Sequence, residues 1–323
     1  MKRIVVLGGG TGSFTVLRGL KRQDVELTAI VSMADDGGST GKLRDELGVL
    51  PPGDVRQCLV ALSDSSRLMR SLMNYRFEDG GLKGHSFGNL LLCAMEKVTG
   101  SFEKAVEEVG KVLKINGKVI PVTTTDVRLK MKLSDGTTLN GEGEIYCSEK
   151  INQGYQRIFL DPIPEPDLHA IAEIMSADLV VFGPGGLYSS LIPLILVPGI
   201  VGALTQTKAK RVYIMNLMNR RGQTDNFTAS SYLKELAKFM PSDIFDYVLI
   251  NKGLPASILV QAYAKEASLV QNDLINDAHV IAADLLSDQL KEVQNGDLMK
   301  RNLIRHDHKK LAVELMKIIE GLE

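Results

Sequence analysis

Glycine-rich stretches and a pair of adjacent aspartates carry the chemistry open to this chain. The first stretch is Gly8-Gly9-Gly10-Thr11-Gly12-Ser13. Bare backbone N–H groups at such a turn, where a helix begins, form a site for a phosphate or another anion. Gly8 and Gly10 match the first two positions of the dinucleotide fingerprint, but Ser13 stands at the third, and the Lys-Ser/Thr pair of an NTPase loop is absent. One glycine would satisfy a turn that only needs positive φ. Four glycines within residues 8–12 go beyond that need.

Asp35 and Asp36 follow about twenty residues later, where a dinucleotide fold places its ribose-binding acid. The same pair suits Mg²⁺, acid–base work, or the capping of a turn. Two like charges ~5 Å apart at an effective dielectric of ~20 repel by roughly 3 kcal/mol. A diphosphate near both acids therefore requires sugar hydroxyls or a metal between them. Ser39 and Thr40 complete that loop, with Lys42 and Arg44 to neutralise charge. Gly183, Gly185 and Gly186, followed by Ser189 and Ser190, form a second candidate anion loop, or else a tight turn with a serine cap. Asp54, after Pro51-Pro52-Gly53, is expected to cap a helix over 55–62. His85, with Ser86 and Asn89, stands at another helix start and suits either capping or catalysis. Asn216, Asn219, Gln223 and Thr224 form an uncharged patch fit to read a sugar or base by hydrogen bonds. Arg305-His306-Asp307-His308 suits a phosphate clamp or a solvated surface.

These groups need elements that bring them together. A β-branched run at 4–7 enters the glycine turn, and Phe14, Leu17 and Leu20 follow at helical spacing. Further strands are expected at 26–32, 178–182, 211–216, 247–251 and 280–282, with helices at 86–98 and 168–176. Strands alternating with helices predict an α/β fold, a Rossmann-like and mainly parallel sheet covered by helices. Residues 110–161 differ in character. Val127, Leu129, Met131 and Leu133 alternate with Arg128, Lys130 and Lys132, and Ser134-Asp135-Gly136-Thr137 signals a hairpin. This stretch is expected to be a small antiparallel β insertion in a single domain spanning 1–323. Ligands in such folds gather beyond the carboxyl ends of the strands. The candidate residues all sit at those ends or at helix starts.

Composition narrows the partners. The chain has 323 residues, 44% of them hydrophobic, and a net charge of −1. Near-neutral charge and the absence of Trp give no reason to expect nucleic acid or an anionic membrane. Cys58, Cys93 and Cys147 show neither metal spacing nor a disulfide framework, which fits a cytoplasmic protein. The apolar stretch 187–204 is interrupted by Pro193 and Pro198, short of the ~20 unbroken residues of a membrane span. The assembly is left open, a homodimer being one option.

The motifs VVLGGGTGSFTVLRGL, SMADDGGSTGKLRDELGVLPPGDVRQCLVAL, GHSFGNLLL and VVFGPGGLYSSLIP, with NLMNRRGQT and the late RHD, resemble the YvcK-type gluconeogenesis factors of bacteria. The resemblance spans almost the whole chain. More distantly, the GGTG turn, the Asp-Asp strand end and the later glycine loop are similar to the 2-phospho-L-lactate transferase (CofD) family. The first resemblance implies a cytoplasmic protein that binds UDP-sugars and acts on cell shape, cell-wall synthesis and carbon use during gluconeogenic growth. The second implies a Mg²⁺-dependent transfer of a phospholactyl group from a nucleotide-activated donor to a deazaflavin. There, an Asp matching Asp35 or Asp36 supports the metal or the acceptor. The SMADDGGSTGKLRDELG loop departs from the transferase pattern, which counts against the deazaflavin acceptor.

The leading expectation is therefore a nucleotide-sugar-binding regulator. The glycine turn and Arg305 would hold the diphosphate, Asp35 or Asp36 a sugar hydroxyl or metal, and Asn216, Asn219 and Thr224 the remainder. A transferase using a nucleotide-diphosphate donor, with Asp35 and Asp36 positioning Mg²⁺, is the alternative. An NAD(P)-dependent oxidoreductase is motivated only by the opening turn.

Overall fold

The computed structural model describes residues 1–263, 267–287 and 304–321. Its strands are β1 (Lys2–Gly8), β2 (Val25–Val31), β3 (Lys118–Pro121), β4 (Arg128–Leu133), β5 (Thr138–Asn140), β6 (Tyr155–Asp161), β7 (Leu179–Phe182), β8 (Lys210–Ile214), β9 (Tyr247–Asn251) and β10 (Val280–Ala283). The helices used below are α1 (Gly10–Leu20), α2 (Gly38–Leu47), α3 (Gly53–Leu62), α4 (Arg67–Asn74), α5 (Phe87–Thr99), α6 (Phe102–Leu113), α7 (Glu142–Cys147), α8 (Leu168–Ser176), α9 (Ile192–Ile195), α10 (Ile200–Gln206), α11 (Ala229–Leu236), α12 (Ser257–Tyr263) and α13 (His308–Glu320).

Seven strands form one parallel sheet in the order β10-β9-β8-β7-β1-β2-β3. β1 and β7 are buried almost end to end, as Ile4, Val5, Val6 and Leu7 and as Leu179, Val180, Val181 and Phe182. Strands covered on both faces must be apolar throughout, which is why these runs show no alternation. α1 packs against α3 and α13, and α8 packs against α10. From β1 the chain progresses to β2 and β3 on one side, then returns beside β1 at β7 and progresses to β10 on the other. The order reverses between β1 and β7, and a crevice opens at the carboxyl ends of strands on either side of such a switch.

A second sheet is antiparallel, in the order β5-β4-β6. The hairpin signal at 134–137 is where β4 turns into β5, with Lys132 opposite Thr138. The expected insertion at 110–161 has a later start, however. Lys118 lies beside Thr28 and Pro121 beside Val31, so β3 is the parallel edge of the main sheet. Both stretches are β-rich, and only the distant partner β2 distinguishes them. The antiparallel unit begins at Arg128, where the strict alternation begins. The apolar stretch 187–204 holds two helical pieces bent by 75°, and Ile192, Leu194, Ile195, Ile200 and Leu204 are core residues. Among the described residues no single helix is long and apolar enough to cross a membrane.

Candidate functional site

At the switch point lies a crevice of about 770 Å³. Its floor is the start of α1 and the loop after β7. These two segments touch so closely that a Cβ on Gly12 would overlap the Pro184 carbonyl oxygen. Gly9, Gly10, Thr11 and Gly12 line one wall, and Gly185, Gly186 and Ser189 line the next. Asp35, Ser39 and Thr40 come from the loop after β2 and the start of α2, Asn89 from α5, and Asn216 and Asn219 from the segment after β8. Arg305 and His306 close the far side.

The acids occupy helix starts. α3 begins at Gly53 without a side-chain cap, so Asp54 lies in its first turn and is not the cap expected from the sequence. Its carboxylate crosses to α1, where a Cβ on Gly9 would overlap Oδ2 and one on Gly10 would lie 3.4 Å from Oδ1. Asp35 is placed similarly against α3, with Oδ2 2.5 Å from where a Cβ on Gly53 would be. Each carboxylate thus meets the positive end of a helix. Burial raises the Asp35 pKa, opposed by hydrogen bonds from the Gly37 amide and the Thr40 hydroxyl.

Asp36 faces elsewhere. Its Oδ1 accepts a hydrogen bond from the Gly143 amide at 2.7 Å, and Arg128 stands 3.7 Å from its Oδ2. The structure therefore separates the adjacent pair, Asp35 toward the crevice and Asp36 toward the insertion. Among the described residues no three carboxylate, imidazole or thiol groups are close enough together to hold a metal ion.

Several other expected residues support the crevice from behind. His85 is buried, with Nδ1 3.0 Å from the Ser39 hydroxyl. Thr224 is buried and accepts from the Arg220 amide at 2.9 Å and from the Tyr232 hydroxyl at 3.2 Å. Ser13 is buried next to Gly183, where a Cβ would lie 3.4 Å from its hydroxyl. Lys42 is exposed on α2, outside the crevice lining. Asp307 caps α13, accepting from the amides of Lys309 at 2.7 Å and Lys310 at 3.0 Å, so it serves the helix and not a phosphate clamp.

Glu142 and Tyr146 are among the crevice residues that spacing alone does not single out. Glu142, the first residue of α7, is only 7% exposed. Burial, followed by the charges of Asp35, Asp54 and Asp36, pushes its pKa well above the ordinary range, and a Ser189 hydrogen bond opposes this. Tyr146, one turn on, carries the Arg220 guanidinium 3.4 Å from its ring centre. The clue in the sequence was a charged residue set between two glycines, Gly141-Glu142-Gly143, ahead of an apolar pair.

Glu142 Oε2, Asn216 Oδ1 and His306 Nε2 are buried atoms without a hydrogen-bond partner among the described residues, and all three residues line the crevice. Asn216 donates to the Gly185 carbonyl at 2.8 Å, which fixes its amide and leaves the oxygen free. His306 hydrogen-bonds the Met215 backbone, and burial lowers its pKa to about 4, so its ring is neutral at physiological pH. Unpaired buried acceptors are costly and call for a donor.

Residues 4–290 match the 2-phospho-L-lactate transferase CofD family. The gluconeogenesis factor of Bacillus subtilis (strain 168) is 39% identical over 324 residues, 98% of each chain. That of Halalkalibacterium halodurans is 45% identical over 285 residues, 87% of this chain and 86% of the relative. A crystal structure of a Bacillus halodurans protein, 39% identical, covers 98% of this chain and 100% of its own with a TM-score of 0.88.

Proposed function

The chain belongs to the 2-phospho-L-lactate transferase CofD family, and from that premise we propose that it is a nucleotide-sugar-binding regulator like the gluconeogenesis factors it resembles. One observation carries this reading. The crevice at the switch point is floored by two glycine segments in such contact that Gly12 has no room for a side chain. A diphosphate would lie over the amides of Gly10 to Gly12 and of Gly185 to Gly186, with Arg305 beside it. The nucleoside and sugar would extend to either side. UDP-sugars are the proposed ligands, and cell shape and carbon use in the cytoplasm are the proposed setting. Both come from the family resemblance.

Thermal unfolding with UDP-glucose, UDP-N-acetylglucosamine, GDP and NAD(P) tests the ligand class. A ligand at a hundredfold its Kd stabilises the fold by about 2.7 kcal/mol. UDP-sugars should raise the midpoint in the wild-type chain and leave Gly12→Ala unmoved. No shift with any UDP-sugar would sink the proposal.

A second reading, a transferase, is favoured by the carboxylates of Asp35 and Asp54 beside the proposed diphosphate. Mg²⁺ is usually held by one or two carboxylates together with substrate phosphates, and Asp35 and Asp54 would hold it here. It would relieve the repulsion and stabilise charge on a leaving phosphate. Asp35 and Asp54 would orient the donor, and Arg305 would steady the phosphates. Turnover of a nucleotide sugar that is lost in Asp35→Asn would establish this reading over simple binding.

A further inference from the structure

We propose that Glu142 selects the sugar of the bound nucleotide, its Oε2 accepting a hydrogen bond from a sugar hydroxyl. This rests on the nucleotide-sugar reading above.

The argument begins with what holds Glu142 in place. α7 is fastened on two sides. The Gly143 amide donates to Asp36 at 2.7 Å. The Gln223 side chain donates to the carbonyls of Ile145 at 2.9 Å and Tyr146 at 2.8 Å. Glu142 is therefore a preset group on a short, anchored helix. It is more than nine-tenths buried, it lines the crevice, and its Oε2 has no partner among the described residues. No contact among the described residues uses that atom, so it is open to a donor from a ligand.

The surroundings decide which donor. Asp35 and Asp54 stand beside it, so this corner favours a neutral group over an anion, whereas the glycine amides offset Asp54 where the diphosphate would lie. No three ligating groups at metal distance occur among the described residues, which argues against a cation held by the protein alone. The crevice also carries the neutral polar side chains of Ser39, Thr40, Asn89 and Ser189, with the Arg56 guanidinium held on Asn89 at 2.8 Å. A sugar hydroxyl is neutral, donates to Oε2, and accepts from such neighbours in return. The sheet order also separates the two ends of the ligand. Asn216 follows β8, whereas Asp35 follows β2, with β7 and β1 between them. On this proposal the orphaned acceptors of Asn216 and His306 would serve the nucleoside end, and Glu142 the sugar.

Calorimetric titration of the full chain with UDP, UDP-glucose and a series of deoxy and deoxyfluoro UDP-glucoses tests this. Glu142→Ala should weaken UDP-glucose binding by about tenfold and leave UDP unchanged. In the wild type, one deoxy analogue should show the same loss. Glu142→Ala should lose nothing further with that analogue. The wild-type arm needs no variant, so a folding defect cannot mimic the result. Equal weakening of UDP and UDP-glucose by Glu142→Ala would overturn the proposal. So would wild-type binding of every deoxy analogue as tightly as UDP-glucose, or a loss in Glu142→Ala that appears only with Mg²⁺. If neither UDP nor UDP-glucose binds the wild type, the nucleotide-sugar reading fails and this proposal falls with it.

Discussion

The burial of Glu142 among acidic neighbours carries an electrostatic cost, and that cost has a pH signature. Burial and three nearby aspartates raise its pKa in the folded chain above the ordinary value of 4.5. A raised acid binds its proton more tightly folded than unfolded. It therefore contributes stability at low pH and withdraws it as the pH rises from 4.5 through the folded pKa. Glu142→Gln removes that titration. Denaturant unfolding of the ligand-free chain between about pH 5 and pH 8 should show a shallower loss of stability in the variant than in the wild type. Asp35, also raised, leaves a residual slope of the same sign. Identical slopes in the two proteins would mean that Glu142 does not titrate in this window. Asp35 was legible in the sequence because it ends a strand at a spacing that recurs in dinucleotide folds. Glu142 was not, because it faces Asp35 only after the insertion folds back across the crevice. Asp54 was legible as a helix-start acid, but its role was not. A first-turn side chain caps its own helix or reaches another, and only the tertiary position of α1 decides between them.

The elements that position Glu142 make a prediction of their own. Gln223 is buried, and its amide satisfies two carbonyls at the end of α7. Gln223→Ala removes that donor from both, and since Arg220 still donates to the Tyr146 carbonyl at 3.1 Å, the cost of roughly 1–3 kcal/mol falls on the Ile145 carbonyl if water cannot reach it. The loss falls on a six-residue helix that has little stability of its own. Hydrogen exchange should therefore quicken at the α7 amides of Gln223→Ala, while β1 and β7 keep wild-type protection. Uniform quickening across the sheet would show instead that α7 is not a separate unit. The same elements show where sequence patterns suffice. The helix at 168–176 and the strand at 247–251 agree with the structure residue for residue, since each has a clear period bounded by turn residues. The β-rich run near 119–125 was harder. Four residues long, β3 carries no sign of its partner, and the alternating strand that follows invited both into one unit.

For the molecule as a whole, what matters is that the crevice lies between the two halves of one sheet. β1, β2 and β3 progress to one side of the switch, and β7 to β10 to the other. β1 and β7 pair across the halves, and the Gly12–Pro184 contact closes them together at the carboxyl ends of those strands. A ligand spanning this junction must touch both, so its footprint should be divided in sequence but continuous in space. With a saturating UDP-sugar, exchange should slow together at 9–15 and 35–40 in the first half and at 184–190, 216–223 and 304–306 in the second, with 142–149 joining them from the insertion. A second groove, between α6 and α8 over the edge strand β3, should be unaffected. That groove lies at the far edge of the sheet from the switch, bordered by Lys104, Lys111, Glu107 and Glu173, and has no glycine loop at a strand end. Protection confined to one half would place the ligand beside the junction and leave the Gly12 contact as packing alone. Protection of both halves without 142–149 would keep the nucleotide site and remove the insertion from it. The three patterns differ in which segments slow, so one exchange experiment on the full chain separates them.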